Sequence, residues 1–157
     1  MKAAPTLEGG LRIDAEDLGD WEVLHAIIHD ARRPGTDLAS ELSNLVVDPE
    51  GAEDWREYVL PDLRNEFENQ VSTIAKAITS AMETSGGGEG SIWITRDDGF
   101  LWYGALNQAR LALEEIYQFG RTDGVALEDL GPAKRSAFLR SQFYLAIQSL
   151  LLDHVME

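Results

Sequence analysis

Residues 97–119, DDGFLWYGALNQARLALEEIYQF, are the stretch on which the fold turns. At about 100° per residue, Leu101, Trp102, Ala105, Leu106, Ala109, Ala112, Leu113, Ile116 and Tyr117 share one broad apolar face. A face of that width needs other helices to cover it. The far side is mixed, with Phe100, Gly104 and Leu111 on it. Tyr103, Asn107, Arg110 and Glu114 form a row along its shoulder at spacings of four, three and four. This pattern predicts a helix contacted from more than one side. Thr95 is the expected N-cap, with Asp98 three residues on in a capping-box position. Asp97 and Asp98 then sit at the positive end of the helix dipole. They read as caps, since paired-carboxylate catalysis needs two carboxyl groups across a cleft.

Working outward, two short segments have strand character, Leu11 to Asp14 and Ser91 to Thr95. Paired, they make a minor two-strand ribbon; unpaired, they are extended coil. A helix is expected from Ala15 to Arg33, capped by Asp14 with Asp17 in the box position and closed by Pro34 and Gly35. Its buried face is Leu18, Trp21, Leu24, Ile27, Ile28 and Ala31. His25 and His29, one turn apart beside Glu22, have metal-pair spacing but no third strong ligand nearby, so no metal is expected. Thr36 and Asp37 open a short helix with a Leu38, Leu42 and Leu45 stripe. Asp48 and Pro49 end it and begin the next element. From there to Thr84 runs the longest periodic pattern, Trp55, Val59, Leu63, Phe67, Val71, Ile74, Ile78 and Ala81. Pro61 predicts a kink or break near Val59.

The stretch SGGGEGS, 85–91, reads as a flexible connector inside a single domain spanning 1–157. It lacks the Gly-Lys-Ser/Thr ending of a phosphate loop, so no nucleotide or other cofactor is implied. After the central helix, Gly120 is the expected C-cap and Asp123-Gly124 a turn. Pro132 starts the last helix, with Leu139, Phe143, Ala146, Ile147, Leu150, Leu151 and Val155 as its main buried face. Phe138, Leu145 and Leu152 recur at intervals of seven on the other side, with Met156 a turn further. A helix apolar on two sides suggests a homodimer through that line. The fold class expected is all-α, a bundle of about five or six helices, with the minor ribbon.

Composition narrows function. With 28 acidic and 13 basic residues the formal charge is −15, which disfavours nucleic acid and anionic membranes as partners. The absence of cysteine removes disulfides, thiolate nucleophiles and cysteine-based metal sites. No signal-peptide core follows Lys2, and no run approaches the roughly 20 apolar residues of a membrane span. A cytoplasmic protein is expected.

The GLRID start at 10–14, Asp48-Pro49-Glu50 followed by Trp55-Arg56 and Asp62-Leu63-Arg64, and above all WYGALNQARLAL at 102–113, resemble one bacterial family. That family, common in actinobacteria, is catalogued as the domain of unknown function DUF2017. The resemblance implies a small, mostly helical cytoplasmic protein. Because members are often encoded beside the Clp protease adaptor, it also implies a role near regulated proteolysis. It transfers no catalytic residue. The match is densest around Trp102, Asn107 and Arg110, and departs after Leu113, where Glu114, Glu115 and Ile116 replace the usual glycine-containing ending.

Two functions are therefore expected. The first is a regulatory or adaptor-like protein-interaction module acting through an acidic surface. The alternative is a binder of a small anionic molecule, in which Arg110 grips the anion, Asn107 orients it and Tyr103 stacks on it. In a purely structural role, Arg110 pairs with Glu114 one turn away. No serine lies in a nucleophile-elbow setting and no His-Glu-x-x-His motif occurs, so no catalytic residue is assigned. His154 reads as a core histidine.

Overall fold

Helix α4, Gly99–Tyr117, runs through the middle of the molecule as its periodicity predicts. The computed structural model describes residues 1–33, 37–120 and 126–156. The predicted features at Pro34, Gly35, Thr36 and Asp123-Gly124 lie outside these residues. Trp102, Ala105, Leu106, Ala109 and Leu113 are buried. They pack against α1 (Leu18–Ala31), α3 (Leu60–Ser85) and α5 (Pro132–His154). Each large apolar side chain enclosed this way contributes roughly 1.5–3 kcal/mol. Ile116, the outer end of the predicted face, is exposed.

Part of the polar side of α4 is enclosed as well: Gln108 is buried and Tyr103, Asn107 and Arg110 are half-buried, while Glu114 and Glu115 stay exposed. Gln108 Nε2 donates to Gln70 Oε1 at 2.8 Å and to the Phe67 carbonyl at 3.1 Å, joining α4 to α3. Gly104 lets that junction close, because a Cβ there would collide with the Gln70 amide.

Three antiparallel strands cover one end of the core: β1 (Lys2–Pro5), β2 (Leu11–Ala15) and β3 (Gly90–Ile94), in the order β1-β2-β3. The mostly helical fold agrees with the expected class and Leu11–Asp14 does pair with Ser91–Ile94, but the sheet has three strands where two were expected. β1, sequence KAAP, carries no alternating apolar signal; it is held by its backbone pairing to β2. Leu11, Ile13, Ile92 and Ile94 point inward and are buried.

Several boundaries shift from their predicted places. Ala15 stays in the sheet opposite Gly90, so α1 begins at Leu18 and its cap is Asp17, which accepts from Asp20 N at 3.0 Å. Asp14 instead accepts from Ser91 Oγ at 2.6 Å. Thr95 Oγ1 caps a turn at Asp98 N, 3.3 Å, before α4 starts at Gly99. The left-handed residue closing α4 is Gln118, φ 49°, two positions before Gly120. Near Pro61 the chain does change character: Trp55–Val59 is a π turn, and α3 begins at Leu60. Pro61 follows directly on this turn, in which Leu60 N donates to Trp55 O, so the wider π spacing sits where proline supplies no N–H.

The 85–91 segment closes α3 through Gly86, φ 64°, a left-handed conformation suited to glycine, with Gly87 N donating to Met82 O at 3.0 Å. The Trp21 indole N–H donates to Gly88 O at 2.8 Å and fastens the segment to α1.

The last helix buries a different face from the one predicted. Ile147, Leu151 and Val155 are inside, but so are Ala137, Phe138, Ser141, Tyr144 and Gln148, while Leu139 and Ala146 are exposed. The polar members of this face have core partners. Asp30 of α1, with no exposed surface, accepts from Tyr144 OH at 2.6 Å, Arg140 Nε at 2.8 Å and Nη2 at 3.2 Å, and Arg33 Nη2 at 3.2 Å. Burial, and then the Asp30 carboxylate, push the Tyr144 hydroxyl above the usual phenol range, so it remains a donor. The bond to Asp30 likewise raises Arg140. His154, expected in the core, is exposed.

Removing the buried acceptor leaves cations facing an apolar interior. Asp30→Ala is expected to lower the unfolding free energy by roughly 3–5 kcal/mol. Tyr144→Phe, which deletes one hydrogen bond, is expected to lower it by about 1 kcal/mol. Urea denaturation followed by circular dichroism measures both, and equal small losses would contradict the proposed pin between α1 and α5.

Candidate functional site

Residues 37–68 form a helical hairpin on the side of the bundle. Helix α2 (Leu38–Val46) runs back along the Trp55–Phe67 stretch, and polar bonds set the pairing. Asp37 caps α2, accepting from Ser40 N at 3.2 Å and Ser40 Oγ at 2.7 Å, and also accepts from Arg64 Nη2 at 2.6 Å. At the other end, the Trp55 indole N–H donates to Ser43 Oγ at 2.7 Å, and Ser43 donates to the Ala39 carbonyl at 2.6 Å. Only Ala39 and Ser43 of α2 are buried, so its core face lies one residue round from the predicted Leu38, Leu42 and Leu45 stripe.

Apolar side chains of both arms lie outside. Leu45 is 81% exposed, Val46 69% and Tyr58 67%, and Val59 is also exposed. Around them the hairpin carries ten acidic residues and only two basic ones, Arg56 and Arg64, so most of the chain's negative excess is concentrated here. Apolar side chains within an acidic surround match a partner with an apolar centre and a basic rim. Beneath α2 lies a cavity of about 300 Å³, whose apolar lining includes Leu38, Phe67, Val71 and Leu111. The two arms of the hairpin are thus bonded to each other at these polar points, with a cavity between α2 and the body.

A second, more open groove of about 700 Å³ runs beside α1, lined by Leu18, Glu22, His25, His29, Met82 and Tyr117 among others. The histidine pair of the sequence does share this groove, and His25 Nε2 is buried without a hydrogen-bond partner. No group of three or more His, Asp or Glu side chains among the described residues is placed to hold a metal ion. Nor is any helix among the described residues long and apolar enough to cross a membrane.

The predicted row on α4 is divided by the structure. Arg110 Nη1 donates to Gln148 Oε1 at 2.8 Å, and Gln148 Nε2 donates to the Tyr103 carbonyl at 3.4 Å, so Tyr103 and Arg110 meet around a buried residue of α5. Glu114 turns away and accepts from Gly120 N at 3.1 Å, closing the helix end instead of pairing with Arg110. Asn107 is half-buried. None of the four lines either cavity described above. Leu145 and Leu152 of α5, and Met156 just after it, are exposed, whereas Phe138 is buried edge-on against Phe119, with ring centroids 5.6 Å apart.

Asp30, the hairpin's exposed leucine and tyrosine, and the role of Gln148 escaped the sequence reading. The one available signal for Asp30 was a carboxylate bordering an apolar helix face, with Arg140 and Tyr144 four apart on the last helix.

The family model for the domain of unknown function DUF2017 matches residues 12–155, and the chain belongs to that family. Comparison with curated proteins and with solved structures finds no match.

The hairpin's anchor has a pH signature. The hydrogen bond from Arg64, then that from Ser40, holds Asp37 down from an ordinary 3.8 to about 2. Because the folded value is depressed, the stabilisation this carboxylate gives is complete above pH about 4 and lost as pH falls through about 2. An NMR titration of the Asp37 carboxyl is expected to show a midpoint near 2 that Arg64→Ala returns toward 4. A wild-type midpoint near 4 would contradict the Asp37–Arg64 anchor.

Proposed function

We propose that this DUF2017 member is an adaptor-like or regulatory protein-interaction module that docks a partner on the acidic hairpin 37–68. The observation that carries the proposal is the group of Leu45, Val46 and Tyr58, each about two thirds or more exposed, on the most acidic stretch of the chain. Enclosing side chains of this size against a partner supplies roughly 1.5–3 kcal/mol each before the entropic cost of association. The carboxylates around them steer a basic surface toward the patch and speed encounter, an effect that salt suppresses.

The hairpin's construction supports the same use. α2 buries few side chains, and its anchor bonds lie at exposed or half-exposed groups, the features of a segment that opens at lower free energy than the core. Such a segment can adjust its seat when a partner arrives, while α4 and its neighbours stay fixed.

The test is a pull-down from the native cell with wild type and a Leu45→Ser/Tyr58→Ser double variant, folding being checked by circular dichroism. The proposal expects a partner captured by wild type to be lost from the variant, and its capture to weaken as salt rises toward about 0.5 M. Equal capture by both proteins would contradict docking on the hairpin.

A further inference from the structure

Strand β3 pairs with β2 along one edge only, and the direction of its backbone groups follows from the register. Thr6 N donates to Gly10 O at 2.9 Å, so Gly10, and in step with it Arg12 and Asp14, turn their backbone groups toward β1. Leu11, Ile13 and Ala15 therefore bond to β3 through Ile94, Ile92 and Gly90. The Ile94 carbonyl lies against Gly10, as this pattern requires. The N–H and C=O groups of Ser91 and Trp93 are left on the open edge.

The two edges of the sheet are not alike. β1 carries Lys2 and Pro5, residues that discourage a further strand. β3, sequence GSIWI, has no charge and no proline, and is rich in the β-branched and aromatic types that favour pairing. Beside it lies a groove of about 480 Å³, with Ala77, Ser80, Ala81 and Thr84 of α3 along its helical side. These short side chains leave depth next to the open edge. Above the groove Trp93 is 61% exposed, with the Arg12 guanidinium 5.4 Å from its ring centroid.

We propose that β3 takes up an extended, non-acidic segment of another protein as a fourth strand, seated between β3 and α3. Two donors and two acceptors on Ser91 and Trp93 supply the ladder. Alternate side chains of the segment enter the groove over α3, and the others lie beside the Trp93 indole. Glu89 is the one ionisable side chain in the groove's lining, and the whole chain carries −15. A second copy adding its own β3 would bring the same excess charge against this one, whereas a segment with a basic residue is attracted. This site is separate from hairpin 37–68, and its test leaves that hairpin unaltered, so either proposal can fail without the other.

The full chain is panned against a phage-displayed library of random peptides about 12 residues long, and enriched sequences are synthesised for anisotropy titration. Two variants accompany wild type. Ser91→Pro deletes an outward N–H and spares the backbone bonds to β2, though it also removes the Ser91 Oγ bond to Asp14. Ser80→Trp fills the groove from an exposed position on α3. The expected result is enrichment of alternating apolar and small sequences with basic residues, and binding weakened about tenfold or more in both variants. Hydrogen exchange should show new protection at Ser91 and Trp93 when peptide is bound. If Ser91→Pro does not fold, Ser80→Trp alone decides. Failure to enrich any peptide, or peptides that bind Ser80→Trp as tightly as wild type, would overturn the proposal. A dimer that Ser80→Trp dissolves, with no peptide enriched, would assign the edge to a second copy instead.

Discussion

The constraint from which the rest of the structure follows is the enclosure of α4 on more than one side. Its apolar face needs α1, α3 and α5 around it, and once they close in, part of its polar face is covered too. Gln108 therefore has to find Gln70 and the Phe67 carbonyl, Arg110 has to find Gln148, and Gly104 has to stay small. The polar contacts fix how the helices sit; the apolar ones supply most of the free energy that holds them there.

Asp30 shows the same logic at higher stakes. A fully buried carboxylate is costly unless each acceptor site is filled, and here two guanidinium groups and a phenol fill them. The arrangement selects one rotation of α5 about its axis, because only that rotation brings Arg140 and Tyr144 together over α1. A face chosen by apolar content alone would have placed Leu139 and Ala146 inside. The cluster is a structural pin, and its chemistry is used up in holding the helices.

Legibility followed the strength of the local pattern. The central helix and the start of the last helix at Pro132 were readable because periodicity and proline geometry act within a few residues; where a kink or break was expected near Pro61, the helix runs on through a π turn. Nothing in the local pattern marked Tyr144 and Gln148 as buried, because their partners Asp30 and Arg110 lie on other helices. β1 was invisible because backbone pairing, not side-chain pattern, makes KAAP a strand. For the hairpin, the sequence stripe named Leu45 as buried, while Ser43 took the inner place by bonding to Ala39 and Trp55. The exposure of Leu45, one of the residues that support the proposed function, goes with that exchange. Of the predicted anion row, Arg110 and the Tyr103 carbonyl are both bonded to Gln148 of α5.

The resulting division is between a fixed centre and a lightly held periphery, and native-state hydrogen exchange measures it most directly. Amides from Trp102 to Leu113 are expected to exchange only through global unfolding, while those of α2 exchange through local opening at a free energy several-fold smaller. Equal protection of α2 and α4, or local opening within Trp102–Leu113, would contradict the account.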